Sequence, residues 1–460
     1  MDILEMIFLS VLLDEVLIYG ATVLIGGLIV MFYIKKENKK SKAFAVKVVV
    51  AKEEGRFEPV SLHPHIDVTK CIGSGACITS CPEQDILGIV DGVATVINAS
   101  SCIGHGACFH SCPVEAISLR IGTETRGVEL PHVKPNYETN ISGIYIAGEL
   151  GGMGLIKNST EQGKYAVENI VKSGNLNKEG VLDIIIVGAG PAGIAAALSA
   201  KEHGLSFEIL EQDSLGGTVF TFPRAKVVMT HPMDLPLVGK IKLSDTSKEE
   251  LLKVWTKVLS ENDISVTEHS KVDRIVPLET GEFKVCVEVE DGAEEVEYLA
   301  SNVVIAIGRR GSPRKLGVPG EMSKKVAYRL LEPENIKEKK ALVVGGGDSA
   351  IESAMLLMEE NEVILSYRKD KFARIKAGNR DLIEAAIEER KLRVIYNSNL
   401  VEINEDVISL SVEGADNKKE VEEITNDLVY IFAGGELPIK FLKNAGINVE
   451  KKFGKIVRKY

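Results

Sequence analysis

A short apolar strand, a glycine-rich turn and a helix occur twice in this chain, and that repeat constrains its fold more than any other feature. Residues 183–187 read Asp-Ile-Ile-Ile-Val, an apolar run of buried-strand length. Gly188-Ala-Gly190-Pro-Ala-Gly193 follows, then a helical stretch over 194–203 and a second strand over 206–210 that ends at Glu211. The glycines permit a tight turn and let a pyrophosphate approach the positive end of the helix. An acid closing the second strand binds ribose hydroxyls. The second copy is Ala341-Leu-Val-Val-Gly345-Gly-Gly347-Asp-Ser-Ala350, with a helix over 350–360 and a strand over 362–365. That strand runs out into Ser366-Tyr-Arg368-Lys369 with no carboxylate. A missing acid admits a 2′-phosphate and an arginine there accommodates it, which favours NADPH over NADH. The competing reading makes Arg368 and Lys369 ordinary surface charges.

Six of the seven cysteines lie between positions 71 and 112. Cys71-Ile-Gly-Ser74-Gly-Ala-Cys77-Ile-Thr-Ser-Cys81-Pro82 recurs 31 residues on as Cys102-Ile-Gly-His105-Gly-Ala-Cys108-Phe-His-Ser-Cys112-Pro113. Thiols clustered at fixed spacing in a large nucleotide-binding chain read as metal ligands rather than disulfides. Zinc sites take two close cysteine pairs, a spacing absent from this repeat. The run resembles the bacterial two-cluster ferredoxin, C-x2-C-x2-C-x3-C-P, with Ser74 and His105 standing where that family has its second cysteine. The resemblance implies one cluster on Cys71, Cys77 and Cys112 and another on Cys102, Cys108 and Cys81. The fourth corner of each is open or is filled by Ser74 and His105. Two 4Fe-4S clusters are expected, with a three-iron 3Fe-4S form as the alternative. Between the repeats, the alternating run over 92–97 predicts a hairpin strand. Cys286 stands apart in the strand-like run 283–287 and reads as a buried structural thiol.

The paired nucleotide folds resemble the flavoproteins of the pyridine nucleotide-disulfide oxidoreductase family, thioredoxin reductases most closely, over residues 123–460. The resemblance implies an α/β architecture of two Rossmann-like domains, with FAD on the first fingerprint and NAD(P)H on the second. Gly217 and Thr218 match the family's turn near the flavin. The runs 303–309 and 430–435 match its two returning strands. Two departures stand out. The stretch 326–339, where the family carries its C-x-x-C pair, has no cysteine. The family's closing motif appears early, as Thr139-Asn-Ile-Ser-Gly143-Ile-Tyr145-Ile-Ala-Gly148-Glu149, followed by a helix over 160–172. This order implies a circularly permuted FAD domain, with Glu149 in place of the usual aspartate.

Residues 16–34 contain no charge. At about 1.5 Å per residue they make a helix of roughly 28 Å, near the thickness of a bilayer's hydrocarbon core. Tyr19 and Tyr33 sit near its ends, acids precede it, and Lys35, Lys36, Lys39, Lys40 and Lys42 follow. Positive charge after the apolar stretch reverses a signal peptide and predicts a single-pass anchor with the remaining chain facing the cytoplasm. The expected organisation is a terminal segment (1–15), a span (16–34), a linker (35–60) and a dicluster ferredoxin-like α+β domain (61–122). A permuted FAD segment (123–172), the FAD domain (181–320), the NAD(P)H domain (321–434) and a return to the FAD domain (435–460) complete it. A net charge of −11 leaves no basic surplus for nucleic acid.

The expected function is a membrane-anchored oxidoreductase that transfers electrons between NAD(P)H, FAD and iron–sulfur clusters. An electron-transfer protein or a small molecule is its acceptor or donor, and a homodimer is the expected assembly. Reduction of a small disulfide at the flavin is the alternative. No side-chain acid, base or nucleophile is required, because the flavin carries the chemistry.

Overall fold

A computed structural model describes residues 3–458 apart from 54, 60–61, 84, 103, 153, 177, 222–226, 230–231, 242, 244, 289–295, 310–312, 373–374 and 415–417. The chain opens with one helix, Ile3–Glu53. Among the described residues, nothing buries the apolar span on it. Residues 35–53, within the stretch expected as a linker, continue this helix. Their apolar positions have a partner: the Phe44 ring packs where a Cβ on Gly88 would stand, and Ala51 is fully buried.

The helix docks on a small module. Its hairpin, Leu87–Val90 with Val93–Val96, forms where the alternating run predicts it. His63–Ile66 pairs antiparallel with Ile117–Ile121. Two single-turn helices, Ala76–Thr79 and Ala107–His110, each begin directly after a glycine of positive φ in the repeat.

The first nucleotide fold is a six-stranded mixed sheet with a parallel centre. Phe207–Leu210 lies beside Leu182–Val187, and Leu182–Val187 beside the upper half of Val296–Ile305. Ile144–Ile146 pairs with the far side of that upper half, Val303 opposite Ile144. The lower half turns antiparallel to Phe283–Glu288, which pairs with Lys271–Pro277. Central parallel strands are covered on both faces, which explains the unbroken apolar run of Ile184, Ile185 and Ile186, all fully buried. Helix Ile156–Ser173 lies flush on helix Pro191–Glu202, so close that a side chain at Gly163 would run into the Ala192 carbonyl.

The second nucleotide fold is a five-stranded parallel sheet in the order 326–327, 428–431, 340–344, 362–366, 393–395. A separate antiparallel three-stranded sheet, Ser398–Ile403, Val407–Glu413 and Lys419–Thr425, packs against it through Leu400, Ile408 and Leu410. The stretch 435–460 divides. Leu442, Ala445 and Ile447 join the core of the first nucleotide fold. Val449–Lys452 then pairs with Val128–Pro131, and Lys455–Arg458 with Ile117–Ile121. The final strand therefore covers an edge of the cysteine-bearing module rather than returning to the first nucleotide fold, since an uncovered edge leaves unpaired backbone groups.

Candidate functional site

The six clustered thiols fall into two neighbourhoods. Burial raises the Cys77 thiol, and Cys71 and Cys112 raise it further, so these three sulfurs share one site. Cys71, Ser74, Cys77 and Cys112 line a common cavity with Ala94 and Ala116. Two backbone amides point at its sulfurs: Ala94 N donates to Cys71 Sγ at 3.4 Å and Ala116 N to Cys112 Sγ at 3.2 Å. In the other neighbourhood burial pushes Cys102 up to about 11 and Cys108 up to about 12, with Cys81 adding to both. Burial also raises Cys81, which takes a backbone hydrogen bond from Glu83. His105 sits half-buried between two glycines of positive φ, the place Ser74 holds in the first repeat. Ser80 and Ser111 hydroxyls meet at 2.7 Å across the two repeats.

Among the described residues, no three His, Cys, Asp or Glu side chains converge as a single metal ion requires. Zinc–sulfur bonds of about 2.3 Å would draw thiols together. Thiols spread around a cavity, with N–H groups aimed at sulfur, suit an inorganic cage instead. Soft thiolates are the ligands such cages take, so the donor set fits iron–sulfur clusters.

The first fingerprint is held by its own backbone. Gly188 has φ +104°, and a Cβ there would lie 2.8 Å from the Ala306 carbonyl oxygen. Gly193 has no room for a Cβ above the Gly188 carbonyl, whereas the space beside Gly190 is open. Glu211 is buried, and its two oxygens accept from Ala189 N at 2.7 Å and Asp213 N at 3.0 Å. Burial raises its carboxyl and these amides oppose the rise. Each carboxylate oxygen keeps a lone pair for a ribose hydroxyl. The turn Gly217–Val219, which carries Thr218, packs on this loop: Gly216 N donates to the Ala189 carbonyl at 3.0 Å, and a Cβ on Gly217 would be 3.4 Å from the Gly190 Cα.

Gly148 lies on the same cradle. Its N donates to Gln162 Oε1 at 2.9 Å, and its φ of +87° brings it against Ala192 in the first turn of the fingerprint helix. Glu149 attracts the Arg309 guanidinium, opposing the burial that lowers it. Arg126, from the segment after the cysteine module, also lies within electrostatic reach of Arg309. Neither Gln162 nor this arginine pair had a signal in the residue pattern, because each contact joins segments far apart in sequence.

At the second fingerprint, Gly345 has φ +147°, Tyr367 covers Gly346, and Ala350 is fully buried. Gly347 starts helix Asp348–Leu357 with open space beside it. Arg368 and Lys369 are exposed just beyond the strand. Ser366 turns inward to the Ser398 hydroxyl at 2.8 Å, so no acid opposes a 2′-phosphate at the strand end. Cys286 is 2% exposed within its strand, away from either cradle's backbone.

Two glycine cradles on successive parallel sheets, one carrying a buried acid and one flanked by free cations, define a flavin- and pyridine-nucleotide-dependent oxidoreductase. Residues 185–458 match the family described as pyridine nucleotide-disulphide oxidoreductase, and residues 63–113 match a 4Fe-4S dicluster domain. The chain belongs to the pyridine nucleotide-disulphide oxidoreductase family and carries an iron–sulfur domain in front of it. It is 27% identical over 275 residues to a ferredoxin–NADP reductase of Ignicoccus hospitalis, covering 59% of this chain and 83% of that one. It is 30% identical over 237 residues to a thioredoxin reductase of Peptoclostridium acidaminophilum, covering 50% and 67%. Its fold is similar to the bacillithiol disulfide reductase Bdr of Bacillus cereus, with a TM-score of 0.50 at 24% identity over 60% of this chain and 84% of that one. FAD, NADPH and iron–sulfur chemistry follow from this membership.

Proposed function

We propose that this chain is a membrane-anchored oxidoreductase that passes electrons between NADPH, FAD and two 4Fe-4S clusters to a redox partner, with the catalytic domains on the cytoplasmic side. Bound FAD accepts two electrons together and releases them singly, joining a hydride donor to one-electron carriers. The protein's part is placement. Gly188, Gly190 and Gly193 hold the pyrophosphate against the helix, with Glu211 on the ribose. Gly148, Glu149, Gly217 and Thr218 close the cradle. Gly345, Gly347, Ala350, Arg368 and Lys369 do the same for NADPH. Cys71, Cys77 and Cys112 ligate one cluster and Cys81, Cys102 and Cys108 the other, with Ser74 and His105 as fourth ligands.

One observation carries the reading. Ile121 and Leu130, just beyond the second cysteine repeat, pack within 3.5 Å of where a Cβ on Gly152 would stand, three residues past Glu149. The thiol module is thus anchored on a loop that belongs to the flavin cradle. The parallel pairing of Ile144–Ile146 with Val303–Ile305 supports a circular permutation that moved the family's closing strand to the front of its domain. Close termini make such a rearrangement tolerable.

Anaerobic titration of the purified full chain with NADPH tests the proposal. Flavin absorbance should bleach, and an iron–sulfur EPR signal should then grow in step with added reductant. Clusters that stay oxidised while a low-molecular-weight disulfide is turned over would transfer the function to the alternative reading.

A further inference from the structure

The two thiol sites are not equivalent in their surroundings, and three independent contacts order them along one line. The first is the strand Ile117–Ile121. Ile117, at its start, lines the cavity of Cys71, Cys77 and Cys112. Leu119 lies 3.2 Å from where a Cβ would stand on Gly106, in the second cysteine loop, and Ile121 reaches Gly152 of the flavin cradle. The second is the domain contact beside Cys81. Lys376 Nζ meets Glu83 Oε1 at 3.6 Å. Lys376 N in turn donates to Asp348 Oδ1 at 2.8 Å, in the first turn of the second fingerprint helix. Both contacts place Cys81, Cys102 and Cys108 toward the nucleotide folds.

The third is the long helix, which meets the hairpin antiparallel. Ser41 Oγ accepts from Asp91 N at 3.0 Å at the hairpin tip, Phe44 covers Gly88, and Lys47 pairs with Asp85 at 2.6 Å. Further along, Ala51 O accepts from Arg56 N, and Arg56 O accepts from Ser100 N, two residues before Cys102. The tip lies at the membrane end of this contact. Gly92 at the tip leaves no room for a side chain on Gly73, inside the first cysteine loop, and Ala94 donates to Cys71. The Cys71 site is thus the one nearer the span. From residue 34 to residue 41 the helix rises only about 10 Å, which is headgroup depth. Two apolar side chains flank Cys71 in sequence and stand open: Val68 and Ile72 are each 65% exposed, and Ile72 lines the cavity itself.

We propose that the Cys71–Cys77–Cys112 site is a membrane-facing electron port serving a lipid-dissolved quinone, with the Cys81–Cys102–Cys108 site as the station between it and the flavin. The helix acts as a ruler, holding the port at the depth where a quinone head group resides. An exposed apolar rim at that depth suits a carrier arriving from lipid. A charged soluble protein would have to displace lipid to reach it. The balance is NADPH + H⁺ + quinone → NADP⁺ + quinol. NADPH gives up two electrons and a proton at the flavin, the proton leaves to water there, the electrons pass one at a time through the two thiolate sites, and the quinone oxygens take both electrons and two protons from water. This inference rests on the membrane-anchored reading above.

The test uses the full chain in liposomes containing menaquinone-4. A seven-residue helical insert after Glu37 lifts the module by about 10 Å while turning it by only about 20°. Wild type should oxidise NADPH with menaquinone-4 as acceptor. The insert variant should lose that activity yet keep NADPH–ferricyanide activity and NADPH-driven appearance of the iron–sulfur EPR signal. A nickel-chelating lipid should speed the relaxation of one cluster signal in wild type and less so in the insert variant. Equal quinone reduction and equal relaxation in both proteins would overturn the port. So would a vesicle-bound wild type that reduces ferricyanide but never menaquinone-4. Failure of the protein to float with vesicles, or absence of an NADPH-driven cluster signal, would instead overturn the reading beneath it.

Discussion

Arg368 and Lys369 are exposed at the end of the second fingerprint's strand, and Ser366 is turned away into the core. If these cations hold a 2′-phosphate, their double replacement by alanine should raise KM for NADPH by about tenfold or more, as loss of charge-assisted hydrogen bonds requires. KM for NADH should stay within about twofold. Steady-state kinetics with both nucleotides reads the difference, and parallel changes in the two constants would assign the residues to the surface. The buried thiols give a second residue-level expectation. Without metal, Cys102 and Cys108 are pushed up to about 11 and about 12, chiefly by burial. An unfolded thiol titrates at about 8.5. Between these values the fold retains protons that the unfolded chain releases, so stability is full below the lower value and falls as pH rises. Metal-stripped protein should therefore unfold at lower urea at about pH 10 than at about pH 8, and Cys102→Ser with Cys108→Ser should flatten the dependence.

At the scale of elements, the tightest fit is between helices Ile156–Ser173 and Pro191–Glu202. Gly163→Ala would drive a methyl group into the Ala192 carbonyl. Overpacking of this kind costs about 1–3 kcal/mol, and here it would also displace the first turn that receives the pyrophosphate. Lower thermal stability together with loss of bound FAD is expected, read by calorimetry and by flavin absorbance. The elements themselves were legible because each is signalled locally. The glycine turns, the apolar strands on either side of them and the hairpin over 87–96 all occur where the residues require. The ferredoxin resemblance groups Cys77 with Cys71 and Cys112, and these three side chains line one cavity. What local pattern could not supply was the partner of an element. The helix beyond residue 34 reads as a charged linker until Phe44 meets Gly88. Lys376 beside Glu83 joins positions nearly three hundred residues apart. Arg309 and Glu149 come within electrostatic reach because strand Ile144–Ile146 lies beside Val303–Ile305.

Two late strands pair with the segment that follows the second cysteine repeat. Strand Lys455–Arg458 pairs with Ile117–Ile121 and Val449–Lys452 with Val128–Pro131, while Leu442, Ala445 and Ile447 sit in the core of the first nucleotide fold, so this run ties the thiol module to that fold. Val457 packs against the module's core, among Cys77, Cys102 and Cys108. The module is small, and small modules bury too little apolar surface to stand without metal or a neighbour. Ending the chain after Gly454 removes that edge strand while leaving both nucleotide folds intact, because Leu442, Ala445 and Ile447 remain in the core of the first nucleotide fold. The shortened protein should retain FAD at full occupancy and reduce ferricyanide from NADPH, yet carry less iron and sulfide per chain and lose its EPR signal faster in air. Iron, sulfide and flavin counted on the same anaerobic sample would decide the matter. Equal iron in both proteins would mean that the two cysteine loops and the helix over 35–53 suffice to hold the module, and that the final strand serves the flavin domain alone.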